Sequence, residues 1–362
     1  MTRRSYRLPK GGRIDRTRAV KFSFGGQTYT GHPGDTLASA LLAHGEHMVA
    51  RSFKYHRPRG VLAAGSEDPA ALVQLDGGGG RTDPNVRVTE QEIYEGLAAR
   101  AQNCWPALKL DVGAAADLLS PFLPAGFYYK TFKGRPGWMF FEPFIRRAAG
   151  LGRAPARPDP DRYEAVNRHC DVLVAGGGPA GLMTALAAGR AGARVILADE
   201  TAELGGTLLS RDPDVLSLDG KAPAEWVREV RAELDALPEV TVLTRTTVFG
   251  YYSHNFVGLW ERVSDHLPEG FRPLHLPRQR LWRVRAKEVV LATGSIERPL
   301  TFHQNDRPGI MLAGSVRTFM HRYGVLPGRR IVVFTNNDSG WDAAIDMARG
   351  GGDVAAVVDL RS

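Results

Sequence analysis

Asp171-Val172-Leu173-Val174-Ala175-Gly176-Gly177-Gly178-Pro179-Ala180-Gly181-Leu182 is the stretch whose reading decides the fold. An apolar run of strand length ends in Gly176-x-Gly178-x-x-Gly181, and an Ala-rich segment over 179–191 follows with the composition of a helix. A second apolar strand, Ala193 to Ala198, comes next. Each glycine has a different task. The first allows the tight turn, the second lets the backbone approach a pyrophosphate, and the third lets helix and strand pack closely. The helix then presents its N–H groups and positive dipole end to the phosphates. Asp199 stands eighteen residues after Gly181, at the end of the second strand. A carboxylate there accepts from both ribose hydroxyls and repels a 2′-phosphate, and the adjacent Glu200 is placed to share that role. The turn by itself indicates a dinucleotide and leaves NAD and FAD open, since both present the same adenosine diphosphate.

Working outward, Gly205-Gly206-Thr207 follows the acid closely, as a loop lying over the pyrophosphate would. Residues 222–237 read as a helix, Val240 to Leu243 as a strand, and Thr246 to Tyr251 as a further strand whose Thr246-Thr247-Val248 lies beside the adenine pocket. Lys287 to Ala292 is another buried strand, with Thr293 and Gly294 at the turn that passes near the cofactor in two-dinucleotide folds. Near Gly328 a third section starts: strand Ile331 to Phe334, helix 340–349 and strand Val354 to Val358. Its turn, Thr335-Asn-Asn-Asp-Ser-Gly340, lacks the first two glycines and reads as a fold kept without phosphate binding. Two strands and a helix cannot close a sheet, so the chain is expected to be the N-terminal portion of a longer protein.

Toward the N-terminus, Val20 to Phe24 alternates, Gly25-Gly26 is a hairpin turn and Gln27 to Thr30 is the return strand. Asp35 or Thr36 caps a helix carrying Leu37, Ala40, Leu41 and His44, and Gly45 stops it. Residues 71–75 form a short strand, and 86–104 read as a strand and short helix with Ile93, Leu97 and Ala98. This is the order of a β-grasp, ferredoxin-like module. A plant-type ferredoxin carries C-x4-C-x2-C in the loop after that helix. Here that loop is Arg51-Ser52-Phe53-Lys54-Tyr55-His56-Arg57-Pro58-Arg59-Gly60, which has no cysteine, so no iron–sulfur cluster is expected. His56, among Lys54, Arg57 and Arg59, either meets an anionic ligand or partner or simply faces a neighbouring domain or solvent.

The expected fold class is therefore α/β: a β-grasp ferredoxin-like module without cluster cysteines, followed by a Rossmann-like two-dinucleotide-binding-domain fold, incomplete at the C-terminus. The expected divisions are 1–105 for the β-grasp module with a basic arm and 106–165 for an irregular aromatic and Pro-rich linker. Residues 166–325 form the Rossmann-like domain and 326–362 the start of a second nucleotide-binding-like half. The linker holds Phe127-Tyr128-Tyr129 and Trp138 to Phe141, and Gly77 to Gly80 is a loop.

At 362 residues there is room for two or three domains. Net charge is +8, and residues 1–60 carry twelve Lys or Arg against three acids. A polyanion-binding arm is one reading of that excess. No aromatic-interleaved or groove-reading pattern accompanies it, so nucleic-acid binding is not expected. No apolar run reaches the length of a membrane helix, and no apolar stretch follows the basic N-terminus as in a secretory signal. The two cysteines, Cys104 and Cys170, fit a reducing cytoplasm. No catalytic triad, zinc motif or P-loop is present. Catalytic and metal residues are therefore not assigned.

Longer strings carry a family resemblance. They are Gly11-Gly12-Arg13-Ile14-Asp15-Arg16, the run from Gly31 to Leu42, Arg51 to Gly60, Ala292-Thr293-Gly294 to Arg298-Pro299, and Asn305-Asp306-Arg307-Pro308-Gly309. Together they closely resemble the alpha subunits of heterotetrameric sarcosine oxidases, over essentially all of residues 8–362. The resemblance implies an oxidoreductase complex acting on a CH–NH group with oxygen as acceptor. Sarcosine would be demethylated to glycine, oxygen reduced to hydrogen peroxide, and the one-carbon unit passed to tetrahydrofolate. It implies NAD in this chain, FAD in a beta subunit that performs the oxidation, FMN between alpha and beta, and gamma and delta partners. The implied NAD contacts are Ala180, Asp199, Glu200, Thr207 and Val248, beside the turn residues Gly176, Gly178 and Gly181, the loop residue Gly206, and Thr293 and Gly294. The family's folate-binding region is missing from this sequence, so sarcosine and tetrahydrofolate sites are expected outside it. The alternatives are a subunit of a related opine or amino-acid dehydrogenase complex and a non-catalytic assembly module with a structural nucleotide.

Overall fold

The computed structural model describes residues 5–77, 81–122, 126, 131–132, 134–150, 152, 155–212 and 214–361. Residues 78–80 of the expected glycine loop, Phe127-Tyr128-Tyr129, Arg153-Ala154 of the Pro-rich boundary and the first four residues of the basic arm lie outside that set. The chain divides into two compact units, residues 1–160 with 299–362, and residues 161–298.

In the first unit β1 (Val20–Phe24) buries Val20, Phe22 and Phe24 on one face. It turns through Gly25 and Gly26, both at positive φ, into antiparallel β2 (Gln27–Gly31). Such φ values suit a two-residue hairpin loop and exclude most side chains. Helix α1 (Leu37–Ala43) begins in a capping box: Thr36 Oγ1 accepts the Ser39 N–H at 3.2 Å, and Ser39 Oγ accepts the Thr36 N–H at 3.0 Å. Every residue of α1 is buried. After a two-stranded ribbon, β3 (Ala50–Arg51) with β4 (Pro58–Arg59), come β5 (Leu72–Asp76), β6 (Thr82–Arg87) and β7 (Ala98–Ala101). The sheet order is β2-β1-β7-β5-β6, with β7 parallel to β1 and antiparallel to β5.

The short helix expected near Leu97 is instead the central strand β7. Gly96, at φ +83°, breaks the local turn, and Ser23 N–H and Gly25 N–H donate to Leu97 and Ala99 carbonyls. Satisfying both edges of a central strand outweighs the weak helical preference of an Ala-rich run. The stretch beyond 105 is more regular than the expected linker. A 3-10 segment spans Val112–Phe122 and helix α2 spans Trp138–Ala149.

The second unit is built on a six-stranded sheet. It contains β8 (Tyr163–Ala175), α3 (Pro179–Arg190), β9 (Val195–Ala198), α4 (Pro223–Ala236), β10 (Val240–Leu243), β11 (Thr246–Tyr252), β12 (Phe256–Arg262) and β13 (Gln279–Leu291). The order is β10-β9-β8-β13-β12-β11. The first four strands are parallel and the last two antiparallel. Val172, Val174, Val195 and Leu197 face α3 and α4, where Leu182, Leu186, Trp226, Val230 and Leu234 complete one core. Leu173, Ala175, Ile196 and Ala198 face the other way, with Val257, Leu259, Trp282 and Val284. Strand β8 sits between β9 and β13, so the end of β8 opens at the point where chain order reverses, the place where such sheets hold ligands. The strands β8 and β13 both start earlier than expected, and β12 was not anticipated. Their early halves alternate with Arg280, Arg283, Arg285, Glu164 and Arg168 and carry no continuous apolar run.

The units divide at 160/161 and 298/299, whereas the sequence reading placed divisions at 165/166 and 325/326. Residues 299–325 cluster with the first unit because Phe319, Tyr323 and Val325 complete the β-grasp core. The N-terminal arm threads along the same segment. Leu8 N–H donates to Gly324 O (2.8 Å), Arg13 N–H to Arg322 O (2.7 Å), and Leu312 N–H to Leu62 O (2.9 Å). Arg7 reaches the buried Asp35 at 2.6 Å and also donates to Tyr323 O. Arg7 is thus held inside its own unit, not presented to a polyanion.

Helix α5 (Ala313–His321) packs on α6 (Asp338–Arg349), which lies beside the parallel pair β14 (Arg330–Thr335) and β15 (Asp353–Asp359). Between the helices, buried Asp346 accepts from Arg317 Nε at 2.7 Å and lies 2.8 Å from His321 Nε2. Burial pushes the Asp346 carboxyl up, but the bonds to His321 and Arg317 outweigh it and hold it below the usual carboxylate range. Its contribution is therefore full above the unfolded value and is lost as pH falls through the lower folded one. Asp346→Ala is expected to cost about 3 kcal/mol at neutral pH. In denaturant melts the difference from the parent should narrow only below about pH 4. A difference that vanished already at pH 5 would refute this.

Candidate dinucleotide-binding site

The glycine turn sits at the end of β8. Gly176, at φ +106°, donates its N–H to Ala198 O (2.8 Å), fastening the turn to β9. A Cβ at Gly176 would stand 2.4 Å from Ala292 O, and one at Gly181 would stand 1.8 Å from Gly176 O. Both positions exclude a side chain through backbone contacts of this unit. Gly178 differs. Its nearest neighbour would be Gly206 Cα at 4.0 Å, so protein packing does not require glycine there. The space beside it is what a close-lying phosphate would use.

Helix α3 starts directly after Gly178 with Pro179 at its first position. The N–H groups of Ala180 and Gly181 lie in the first turn and have no acceptor within the helix. Ala180 is exposed. Together with the positive end of the helix, these donors favour an anion.

Asp199 ends the crossover beside the turn. Its Oδ2 accepts the Gly177 N–H at 2.6 Å, and its Oδ1 accepts the N–H (2.8 Å) and hydroxyl (2.7 Å) of Thr201. A carboxylate offers about four acceptor positions. Thr201 Oγ1 also lies 2.8 Å from Glu203 O and has one proton for the two acceptors, so Asp199 keeps one or two positions for ribose hydroxyls. The same carboxylate thus shapes the turn that it adjoins. Glu200 follows at the end of β9, and its carbonyl accepts from the Arg262 guanidinium at 2.8 Å.

The Gly205-Gly206-Thr207 loop lies on the turn. Gly205 N–H donates to Gly177 O at 2.9 Å, and a Cβ on Gly206 would stand 3.0 Å from Gly178 Cα. Gly206 and Thr207 are exposed and open the 3-10 turn Gly206–Ser210. Thr246 N–H donates to Asp199 O (2.8 Å), bringing the start of β11 to the end of β9. Val248 lies two residues further on and packs against the sheet core. Ala292 N–H donates to Ala175 O (2.8 Å), placing exposed Thr293 and Gly294 just past the turn. Thr201, Arg262 and the Ala292 carbonyl were not singled out from sequence. Thr201 has a local signal, an Asx-type pattern two residues after Asp199. Arg262 has none, since it arrives from a distant strand.

The other candidates turn inward. His56 is buried, with Nδ1 2.7 Å from Asp111 Oδ2. In the turn 335–340, Ser339 N–H donates to the Asn337 side chain at 3.0 Å, so a local cap takes that donor. Among the described residues no group of three or more His, Cys, Asp or Glu is placed to hold a metal ion, and no helix is long and apolar enough to cross a membrane.

Residues 17–104 match a family described as a 2Fe-2S iron–sulfur cluster binding domain, and residues 171–253 match the FAD dependent oxidoreductase family. Over 359 residues the chain is 55% identical to sarcosine oxidase subunit alpha of Rhizobium meliloti (strain 1021), covering 99% of this chain and 36% of that protein. The chain is a relative of sarcosine oxidase alpha subunits along its whole length. The alpha subunit of Corynebacterium sp. (strain P-1) is 40% identical, with 99% of this chain and 32% of that protein covered. The chain thus spans about a third of the alpha subunits it matches. A crystal structure of L-proline dehydrogenase from P. horikoshii superposes on 100% of this chain and 56% of its own with a TM-score of 0.63. At 20% identity that likeness speaks for the fold. The match to the FAD dependent oxidoreductase family and the glycine turn agree with a nucleotide site. The iron–sulfur likeness meets a chemical obstacle, because four thiolates hold such a cluster and residues 17–104 contain one cysteine, Cys104. Burial raises the Cys104 thiol, and burial pushes Cys170 up to about 11.

Proposed function

We propose that residues 161–298 bind the adenosine diphosphate half of NAD, within the alpha subunit of a sarcosine oxidase that acts on the CH–NH group of its substrate with oxygen as acceptor. The open face of Gly178, set against the first turn of α3, carries this reading. Asp199 selects a ribose without a 2′-phosphate, Ala180 and Thr207 stand where the pyrophosphate would lie, and Glu200 and Val248 line the approach to ribose and adenine. The bound dinucleotide would supply redox capacity. This chain's own residues hold and orient it: the helix end balances phosphate charge, the Gly-Gly-Thr loop covers the turn, and Thr293-Gly294 borders the site.

The amine oxidation, the FAD and FMN, and the folate chemistry belong in this reading to beta, gamma and delta partners and to the part of the alpha subunit beyond this sequence. The assembly would be cytoplasmic. Two measurements test the proposal. Mass spectrometry of the small molecule released from the purified protein should show NAD; FAD alone would overturn the cofactor assignment while keeping the site. Sarcosine-dependent peroxide formation should require an FAD-bearing partner; activity of this chain without one would overturn the division of labour. A panel of secondary amines, opines included, on the reconstituted complex should rank sarcosine first.

A further inference from the structure

We infer that the Asp68 carboxylate is an internal anion standing where the β-grasp fold would otherwise hold an iron–sulfur cluster. The cluster loop is not the 51–60 stretch, because Ala50–Arg51 and Pro58–Arg59 pair there as the β3–β4 ribbon. The segment that runs into β5 is the other part of the connection. In it Ala63, Asp68 and Ala71 stand at the x4 and x2 intervals of the C-x4-C-x2-C pattern. All three are buried, at 0%, 1% and 0% exposure.

Asp68 is surrounded by backbone donors. Its Oδ2 accepts the N–H of Leu62 (2.9 Å) and of Ala63 (3.1 Å), and its Oδ1 accepts the N–H of Ala70 (3.1 Å) and of Ala71 (2.8 Å). Among the described residues its side chain pairs with no cation; Arg87 Nε donates to its backbone carbonyl instead, at 3.2 Å. Four converging amides form a nest of positive potential, the kind of concavity that holds phosphates and iron–sulfur groups. A buried carboxylate needs such compensation. A nest built this way needs an anion in turn, since four buried donors left without acceptors are costly. Fully buried Val88 closes the remaining side, donating its N–H to Ala71 O at 3.0 Å. The loop geometry of a cluster domain is thus kept by one side-chain charge. With alanine at two of the three positions, the unit has no thiolate to bind iron there and cannot relay electrons through this loop.

Three variants of the full chain test this. Asp68→Asn keeps the shape but not the charge, and should lower Tm by on the order of 10 °C. Asp68→Ala opens the nest, and formate should restore Tm or refolding yield in a saturable way. The combined variant Ala63→Cys, Asp68→Cys, Ala71→Cys, Val88→Cys, supplied anaerobically with ferric iron and sulfide, should develop the visible absorption of an oxidised [2Fe–2S] centre and, after one-electron reduction with dithionite, its electron paramagnetic resonance. Asp68→Asn melting like the parent, or formate without effect on Asp68→Ala, would overturn the role of the charge. A combined variant with parental far-ultraviolet circular dichroism that takes up no cluster would overturn the placement.

Discussion

Gly181→Ala should abolish dinucleotide binding and destabilise the second unit by about 3 kcal/mol or more. The added Cβ would lie 1.8 Å from Gly176 O and 3.3 Å from Ala292 Cβ. The 1.8 Å neighbour is backbone, so no flexible side chain can swing away. Relief requires α3 to move off the sheet, and α3 carries the N–H groups proposed to hold the pyrophosphate. Stability and affinity must therefore fall together. Gly178→Ala supplies the contrast. Its φ of −71° suits alanine and its nearest neighbour is 4.0 Å away. Unfolding free energy should stay within about 0.5 kcal/mol of the parent. Affinity should fall at least roughly tenfold, because the methyl enters the space assigned to the pyrophosphate. Denaturant melts and calorimetry on both variants decide the matter. Unchanged affinity in Gly178→Ala would remove the pyrophosphate from that face.

The second large effect is expected at Asp199. Alanine there leaves the Gly177 N–H and both Thr201 donors without their carboxylate, and also removes the ribose acceptor. Hydrogen bonds to a charged group are worth about 1.5–3 kcal/mol each, with part regained from water at this half-buried site. A loss of about 2–3 kcal/mol in stability and a rise in Kd of roughly 10–100-fold follow. Asp199→Asn keeps one carbonyl acceptor and should lie between alanine and the parent in both measurements. It should also relax discrimination against a 2′-phosphate, since the repelling charge is gone. Equal affinity of the alanine variant and the parent, measured by calorimetry, would show that Asp199 supports only the turn.

Much of the site was legible because its logic is local. The turn Gly176 to Gly181 needs a preceding strand and a following helix, and both stand within the same thirty residues. The acid at the end of the next strand is set by the length of α3. Likewise the start of α1 is legible at Asp35 or Thr36, and the structure settles it on Thr36, paired with Ser39. Other features had no local trace. β12 and the early halves of β8 and β13 alternate charged with apolar residues, and their identity as strands depends on pairing with one another. β7 is short and Ala-rich, and only its position between β1 and β5 makes it a strand.

By itself the sequence determined that a glycine turn meets a helix end and an acid, and that the chain lacks the four thiolates of a cluster. Short-range sterics and residue chemistry suffice for both conclusions. Tertiary structure alone decided the rest. It showed that Gly181 is demanded by the backbone and Gly178 is not, and that Asp199 also accepts from Gly177 in the turn and from Thr201. It also showed that residues 299–325 complete the core of the N-terminal unit and that four backbone amides converge on Asp68. The physical reasons differ. Residues 299–325 and the Asp199–Gly177 bond join groups far apart in sequence, whereas the amides around Asp68 and the Gly176–Gly181 contact are near in sequence and depend on a backbone conformation that no spacing rule encodes.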